Sequence, residues 1–184
     1  MLIPLFVLII VIVAVGAFFI RAYNQIVLTR NNVDKSFSNI DVILKQRADE
    51  IPNLVETVKA TALYENNVLT QLVKLRYQYS QTENINEKIK IAGELDGNLK
   101  SLLISIENYP EIKATQSFLQ LQKRLTELEN MIADRREYFN ESVNLYNTGI
   151  QVFPDVIFAK MMNYKKMQML NFAEKEKQLK PVQL

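Results

Sequence analysis

The chain contains neither histidine nor cysteine. That removes the imidazole and the thiol on which much hydrolytic and metal chemistry depends. Neither a Ser-His-Asp nor a Cys-His arrangement can be assembled, and the commonest zinc sites lack their ligands. A di-iron centre in a helical protein needs Glu-x-x-His pairs, which are equally out of reach. There is no Gly-rich phosphate loop. Ser/Lys or carboxylate-only chemistry stays formally open, but no spacing singles it out. We therefore expect a non-enzyme, with no catalytic, cofactor-binding or metal-ligating residues.

The charges worth following are those that recur on apolar helical stripes: Arg30, Glu65, Arg76 and Arg135. Breaking a buried ion pair typically costs about 3–5 kcal/mol, so charges buried there would have to be paired. One reading is an internal polar network, with Glu65 meeting Arg30 or Arg76 and fixing helix register. The other places these side chains at the stripe's edge, snorkelling to water. A second candidate is Asn53 with Glu56, next to Pro52. They could form a docking surface at one end of the fold. Alternatively, they are simply the first turn of a new helix, where Glu56 favours the helix dipole.

The elements that position these residues begin with an uncharged apolar run, Leu2 to Ile20, followed at once by Arg21. As a helix it spans roughly 28 Å, close to the thickness of a bilayer's hydrocarbon core. No Lys or Arg precedes it. Ala14-Val15-Gly16 only weakly resembles a cleavage site and runs straight into Phe18, Phe19 and Ile20. We read a permanent anchor rather than a cleaved signal. Arg21, Arg30 and Lys35 follow the run against one acid, Asp34, so the positive-inside rule places the N-terminus outside and the bulk in the cytoplasm.

Beyond the anchor, four Gly and five Pro in the whole chain are too few for an all-β fold. Tyr23, Ile26, Arg30, Val33, Phe37, Ile40, Leu44, Ala48 and Ile51 recur at three- and four-residue spacings, as on one helical face. Pro52 is expected to stop that helix. Leu54, Val58, Ala62, Glu65, Leu69, Leu72 and Arg76 mark a second, and Ile85, Ile89, Ala92, Leu95, Leu99, Leu102 and Ile106 a third. The third opens on a capping box of Asn84 and Glu87, and its Gly93 and Gly97 would permit close helix packing. A fourth, with Ser117 and Gln120 as its capping box, carries Phe118, Leu121, Leu125, Leu128, Ile132, Arg135, Phe139, Ser142, Tyr146 and Ile150. Helices of about 28, 28, 24 and 35 residues joined by short turns predict an antiparallel up-and-down four-helix bundle. The rival is a single bent helix through Pro52, giving an elongated three-helix rod.

Residues 154–184 form a Lys- and Met-rich amphipathic tail. It carries a net charge of +3, whereas the rest of the chain carries −1. That is no nucleic-acid footprint. Phe158, Lys160, Met161, Lys165 and Lys166 could rest on a membrane of anionic lipid, or the tail could be partly disordered.

Many of these residues resemble the signature of the LemA family of bacterial membrane proteins. They include Tyr23-Asn24, Arg30-Asn31, Ile40-Asp41-Val42, Leu44-Lys45, Arg47 and the string Ile51-Pro52-Asn53-Leu54-Val55-Glu56-Thr57-Val58. The match continues through Tyr109-Pro110, Phe118-Leu119, Leu121-Gln122, Glu129-Asn130, Ile132-Ala133, Arg136, Asn140, Tyr146-Asn147 and Phe153-Pro154. The resemblance implies an N-terminal transmembrane helix with its short N-terminus outside, and a soluble bundle of bromodomain-like topology. It implies no agreed catalytic site, and some relatives help to build bacterial membrane organelles. Phe37 stands where the family often has Trp, and Phe139 where Tyr is common. Tyr64 replaces a frequent His, so no His-dependent role can apply there. The expected organisation is an anchor over 1–21, a bundle over 22–153 and a tail over 154–184. We expect a single-pass interaction or scaffold module at the bacterial cytoplasmic (inner) membrane, with unnamed protein partners and the lipid bilayer. The alternative is a lipid-binding or membrane-organising protein acting through its tail and self-association as a homo-oligomer.

Overall fold

A computed structural model describes residues 2–59 and 66–170, and among these the chain is all-helical apart from turns and one extended segment. Helix α1, Leu2–Asp49, runs unbroken for 48 residues. No Pro or Gly occurs between Ala17 and Glu50, and Pro4 lies in the first turn, where backbone N–H groups have no helical partner in any case. The side chains from Ile3 to Ile20 are exposed throughout, whereas Ala22, Ile26, Val33, Phe37, Ile40, Leu44 and Ala48 are buried. Thus α1 has two halves: a bare apolar rod, long and apolar enough to cross a membrane, and an amphipathic helix packed into the body.

Pro52 does not reverse the chain, contrary to expectation. Glu50 alone interrupts the helix, and α2, Ile51–Lys59, continues along the same side of the body, so the helical run reaches Lys59. Pro52 lies in the first turn of α2, where its missing N–H does least harm, and the Leu54 N–H already donates to the Glu50 carbonyl at 3.1 Å. Ile51, Leu54 and Val58 are buried, so the apolar face of α1 carries straight on.

Helix α3, Asn66–Gln81, returns beside α1, with Arg76 on Asp49 at 3.2 Å and the Tyr79 hydroxyl donating to Asp41 at 2.6 Å. Helix α4, Ile85–Ile106, runs parallel to α1, as Lys88 to Asp41 at 2.7 Å and Arg47 to Asp96 at 2.9 Å require. A single turn, α5 (Pro110–Lys113), leads into α6, Gln116–Gly149. This helix lies antiparallel to α1: Arg124 reaches Glu50 at 3.7 Å, Glu129 reaches Arg47 at 3.3 Å, and the Phe139 and Phe37 rings lie 5.7 Å apart. Every stripe position from Phe118 to Ile150 is buried except Arg135.

Local signals fared unevenly. Asn84 caps α4 by accepting the Glu87 N–H at 3.2 Å, but the Glu87 carboxylate accepts from Thr82 and does not close the box. Thr115, not Ser117, caps α6, accepting the Phe118 N–H at 3.3 Å. Gly93 and Gly97 do not serve close packing, because a Cβ at either would meet nothing within 4 Å. After a cis Phe153–Pro154 bond the chain forms α7, Asp155–Met161. Asn163, in the left-handed region at φ 56°, then turns it into an extended segment.

Candidate functional site

Three places gather polar groups or exposed apolar surface. The first is the junction between the two halves of α1. Helix α7 packs on α1 there, the Phe158 ring edge-on to Phe19 at 5.5 Å between centroids. The rest of α7 and its approach leave Phe153 (77 % exposed), Ile157 (49 %) and Met161 (74 %) bare, with Lys160 also exposed. Burial raises the Asp155 pKa. Slightly further along α1, Arg30 Nε meets Asp34 Oδ2 at 3.2 Å while its guanidinium lies 5.8 Å from the centre of the Tyr146 ring. Burial works against that charge, but Asp34 and the Tyr146 hydroxyl outweigh it and raise the Arg30 pKa.

The second is the extended segment after Asn163, which α6 holds by its backbone. The Asn147 amide donates to the Met167 carbonyl and accepts the Met167 N–H, both at 2.9 Å. Asn140 treats Leu170 in the same way, at 3.1 and 2.8 Å. The Tyr146 hydroxyl donates to the Lys165 carbonyl at 3.0 Å, and from α4 the Asn86 side chain accepts the Gln168 N–H at 2.8 Å. Met167 and Leu170 are buried, and Tyr164 packs edge-on to Tyr146 at 6.4 Å. The tail from Tyr164 to Leu170 is therefore a strap fastened to the body. Residues 171–184 lie outside the described residues.

The third is a buried ionic cluster midway along the body. Arg47 and Asp96 side chains are each only 4 % exposed and meet at 2.9 Å. Arg47 also donates to Glu129 at 3.3 Å and to the Ala92 carbonyl at 3.2 Å, while Lys100 supports Asp96 at 3.3 Å. Beside it, the Tyr79 phenol is held protonated: burial first, then its hydrogen bond to Asp41, push its pKa well up.

The charges singled out from the sequence as a possible internal network fall outside this ionic cluster. Arg76 pairs with half-exposed Asp49, and Arg135 donates to its own helix at the Met131 carbonyl. Arg30 pairs within its helix, and Glu65 lies outside the described residues. Among the described residues nothing joins Arg30, Arg76 and Arg135, which sit at stripe edges. Asn53 donates to Glu50 at 2.9 Å, whereas Glu56 lines a shallow groove with Pro52, Val55, Lys59, Val73 and Arg76. Of the tail residues, Phe158 touches Phe19, Lys160 and Met161 are exposed, and Lys165 and Lys166 line a polar groove with Arg30, Asn84 and Asn163. Arg47 and Asp96 were missed because each falls just off the stripe as drawn. Yet Arg47 is three residues after Leu44, and Asp96 is four after Ala92, which is the signal that could have found them. Asn140 and Asn147 stand seven residues apart, two turns on one face.

These features define a class: all-helical proteins in which a bare apolar N-terminal helix continues directly into the packed body. The LemA family profile matches residues 36–184, and the chain belongs to the LemA family. It is 23 % identical over 181 residues to Magnetosome protein MamQ 2 of Paramagnetospirillum magneticum, covering 84 % of this chain and 66 % of that protein. It is 22 % identical to Magnetosome protein MamQ of Magnetospirillum gryphiswaldense, over 79 % of this chain and 63 % of that protein. Protein LemA of Metamycoplasma hominis is 20 % identical over 77 % of this chain and 67 % of its own length. The chain thus spans just under two thirds of the MamQ proteins it resembles.

Proposed function

We propose that the protein is a single-pass anchor carrying an up-and-down four-helix bundle of α1–α2, α3, α4 and α6. On this reading it is a non-enzymatic interaction or scaffold module at the bacterial cytoplasmic membrane. The observation that carries the reading is the junction in α1. The eighteen residues from Ile3 to Ile20 are all exposed, with Phe158 of α7 against Phe19, and burial begins at Ala22. An exposed apolar rod of that length is stable only in lipid, where a helix satisfies its own backbone. The magnetosome designation of the MamQ relatives favours a membrane setting. The absence of His and Cys from the sequence favours a binding role over catalysis. The charges after the anchor favour a cytoplasmic bundle.

A second reading, a lipid-organising role, draws on α7. Its exposed Ile157 and Met161 with Lys160 beside Phe19 would lie at headgroup level, as interfacial helices do. Because the chain has no cysteine, a Glu111→Cys variant, placed beyond the end of α4 remote from the anchor, reports orientation cleanly. The expected result is protein retained in membranes after alkaline carbonate and protected from an impermeant maleimide until the cells are lysed. Extraction by carbonate would refute the anchor, and labelling of intact cells would refute the cytoplasmic bundle.

A further inference from the structure

We propose that the face of α6 bearing Asn140, Tyr146 and Asn147 is a peptide-binding slot, and that a second copy of this chain can fill it with its own Tyr164–Leu170 segment. The recognition chemistry is in the spacing. Seven residues of helix advance about 10.5 Å and three residues of extended chain about 10 Å, so Asn140 and Asn147 meet Leu170 and Met167 in register. Each asparagine accepts an N–H and donates to the C=O of one and the same residue, as a neighbouring β-strand would. The slot therefore reads backbone, and excludes proline at those two positions for want of an N–H. Selectivity comes from apolar side chains at every third position: Tyr164, Met167 and Leu170.

Nothing in this chemistry distinguishes a chain's own strap from a neighbour's. The strap follows directly on the cap of α7, where the N–H groups of exposed Met162, left-handed Asn163 and Tyr164 donate to the carbonyls of Phe158, Lys160 and Ala159, so exchange requires that cap to open. The second copy is the favoured occupant for a geometric reason that rests on the proposed anchoring. Two anchors in one bilayer hold both slots and both straps at the same height, so exchange needs no change of register and raises the effective concentration. Such reciprocal exchange of one element is a low-cost route to a dimer.

The test uses full-length chains in bilayers. One copy carries Asn86→Cys and the other Gln168→Cys, two positions that the 2.8 Å bond from the Gln168 N–H brings together. A chain carrying both substitutions, on oxidation, reports the strap in its own slot. The mixed copies are expected to give a disulfide-linked heterodimer. Its yield should fall at least about tenfold, the equivalent of 1.4 kcal/mol, when the Asn86→Cys copy also carries Asn140→Ala and Asn147→Ala. It should also fall when the Gln168→Cys copy carries Met167→Pro, but not Met167→Leu. If the double variant locks within itself while the mixture yields no heterodimer, exchange is refuted. If neither closes, the slot itself is refuted. Carbonate extraction of the same samples reports anchoring separately, so an anchoring failure appears as soluble protein rather than as missing cross-links.

Discussion

Replacing Arg47 with Met should destabilise the body far more than replacing any other arginine discussed above. Arg47 is the only cation of the cluster with a side chain as buried as its partner's, 4 % exposed against 4 % for Asp96. Removing it leaves Asp96 desolvated without its 2.9 Å partner. Losing one member of such a pair typically costs about 3–5 kcal/mol. Lys100 stays 3.3 Å from the other Asp96 oxygen and is itself 42 % exposed, so part of the charge remains compensated. That argues for the lower end, about 3 kcal/mol, or a fall in Tm of about 6–12 °C for a chain of this size. Arg76→Met removes a pair whose members are 41 % and 53 % exposed, where salt bridges contribute about 0–1 kcal/mol. The double change Arg47→Met with Asp96→Leu should recover most of the loss, because it removes both buried charges and leaves Glu129 and Lys100 to pair at the rim. Thermal unfolding of the full chain in detergent, followed by circular dichroism, measures all three. If Arg47→Met shifts Tm no more than Arg76→Met does, the cluster is not what holds α1, α4 and α6 in register.

Three further outcomes are expected. The Tyr79 pKa is raised in the folded state, so its contribution to stability is complete below the unfolded value of about 10 and is lost as pH rises beyond it. Tyr79→Phe should therefore flatten the alkaline fall in stability above about pH 10, as measured by unfolding across that range. Gly93→Ala and Gly97→Ala, each in the interior of α4 with open space at the Cβ, should each stabilise by about 0.5–1 kcal/mol; a loss of Tm would show an unrecognised packing role. The chain has no tryptophan, so Phe153→Trp in bilayers is a lone reporter, expected to be quenched by lipids brominated on the acyl chain far more than Val73→Trp. Equal quenching would take α7 away from the interface.

The helices were legible because each stripe records one requirement, burial of an apolar face, and a three- and four-residue spacing expresses it without ambiguity. Pro52 misled because its signal is local. Proline disfavours the residue before it, but whether the chain then reverses depends on what the next turn can bury. Ile51, Leu54 and Val58 continue the α1 face, and that continuity outweighs one missing hydrogen bond.

The polar features followed a different logic. For Arg30, Arg76 and Arg135 the stripes left two readings open, a buried network or an edge position, and side chains of that length reach an edge. A charge is trapped only where neighbouring helices close over it. Arg47 and Asp96 meet that condition through contacts 49 residues apart, which no periodicity within one helix encodes. The strap is a sharper case of the same limit. Its mixture of lysines and apolar residues reads equally well as an amphipathic segment seeking lipid, because its backbone partners are side chains of other elements, Asn140, Tyr146 and Asn147 of α6 and Asn86 of α4. The composition of a tail says how much apolar surface must be covered, and the geometry of α6 decides what covers it. Here Asn140 and Asn147 cover Met167 and Leu170 with protein. Among the described residues of this C-terminal region, Val152, Phe153, Ile157, Met161, Met162 and Met169 keep their apolar surface exposed.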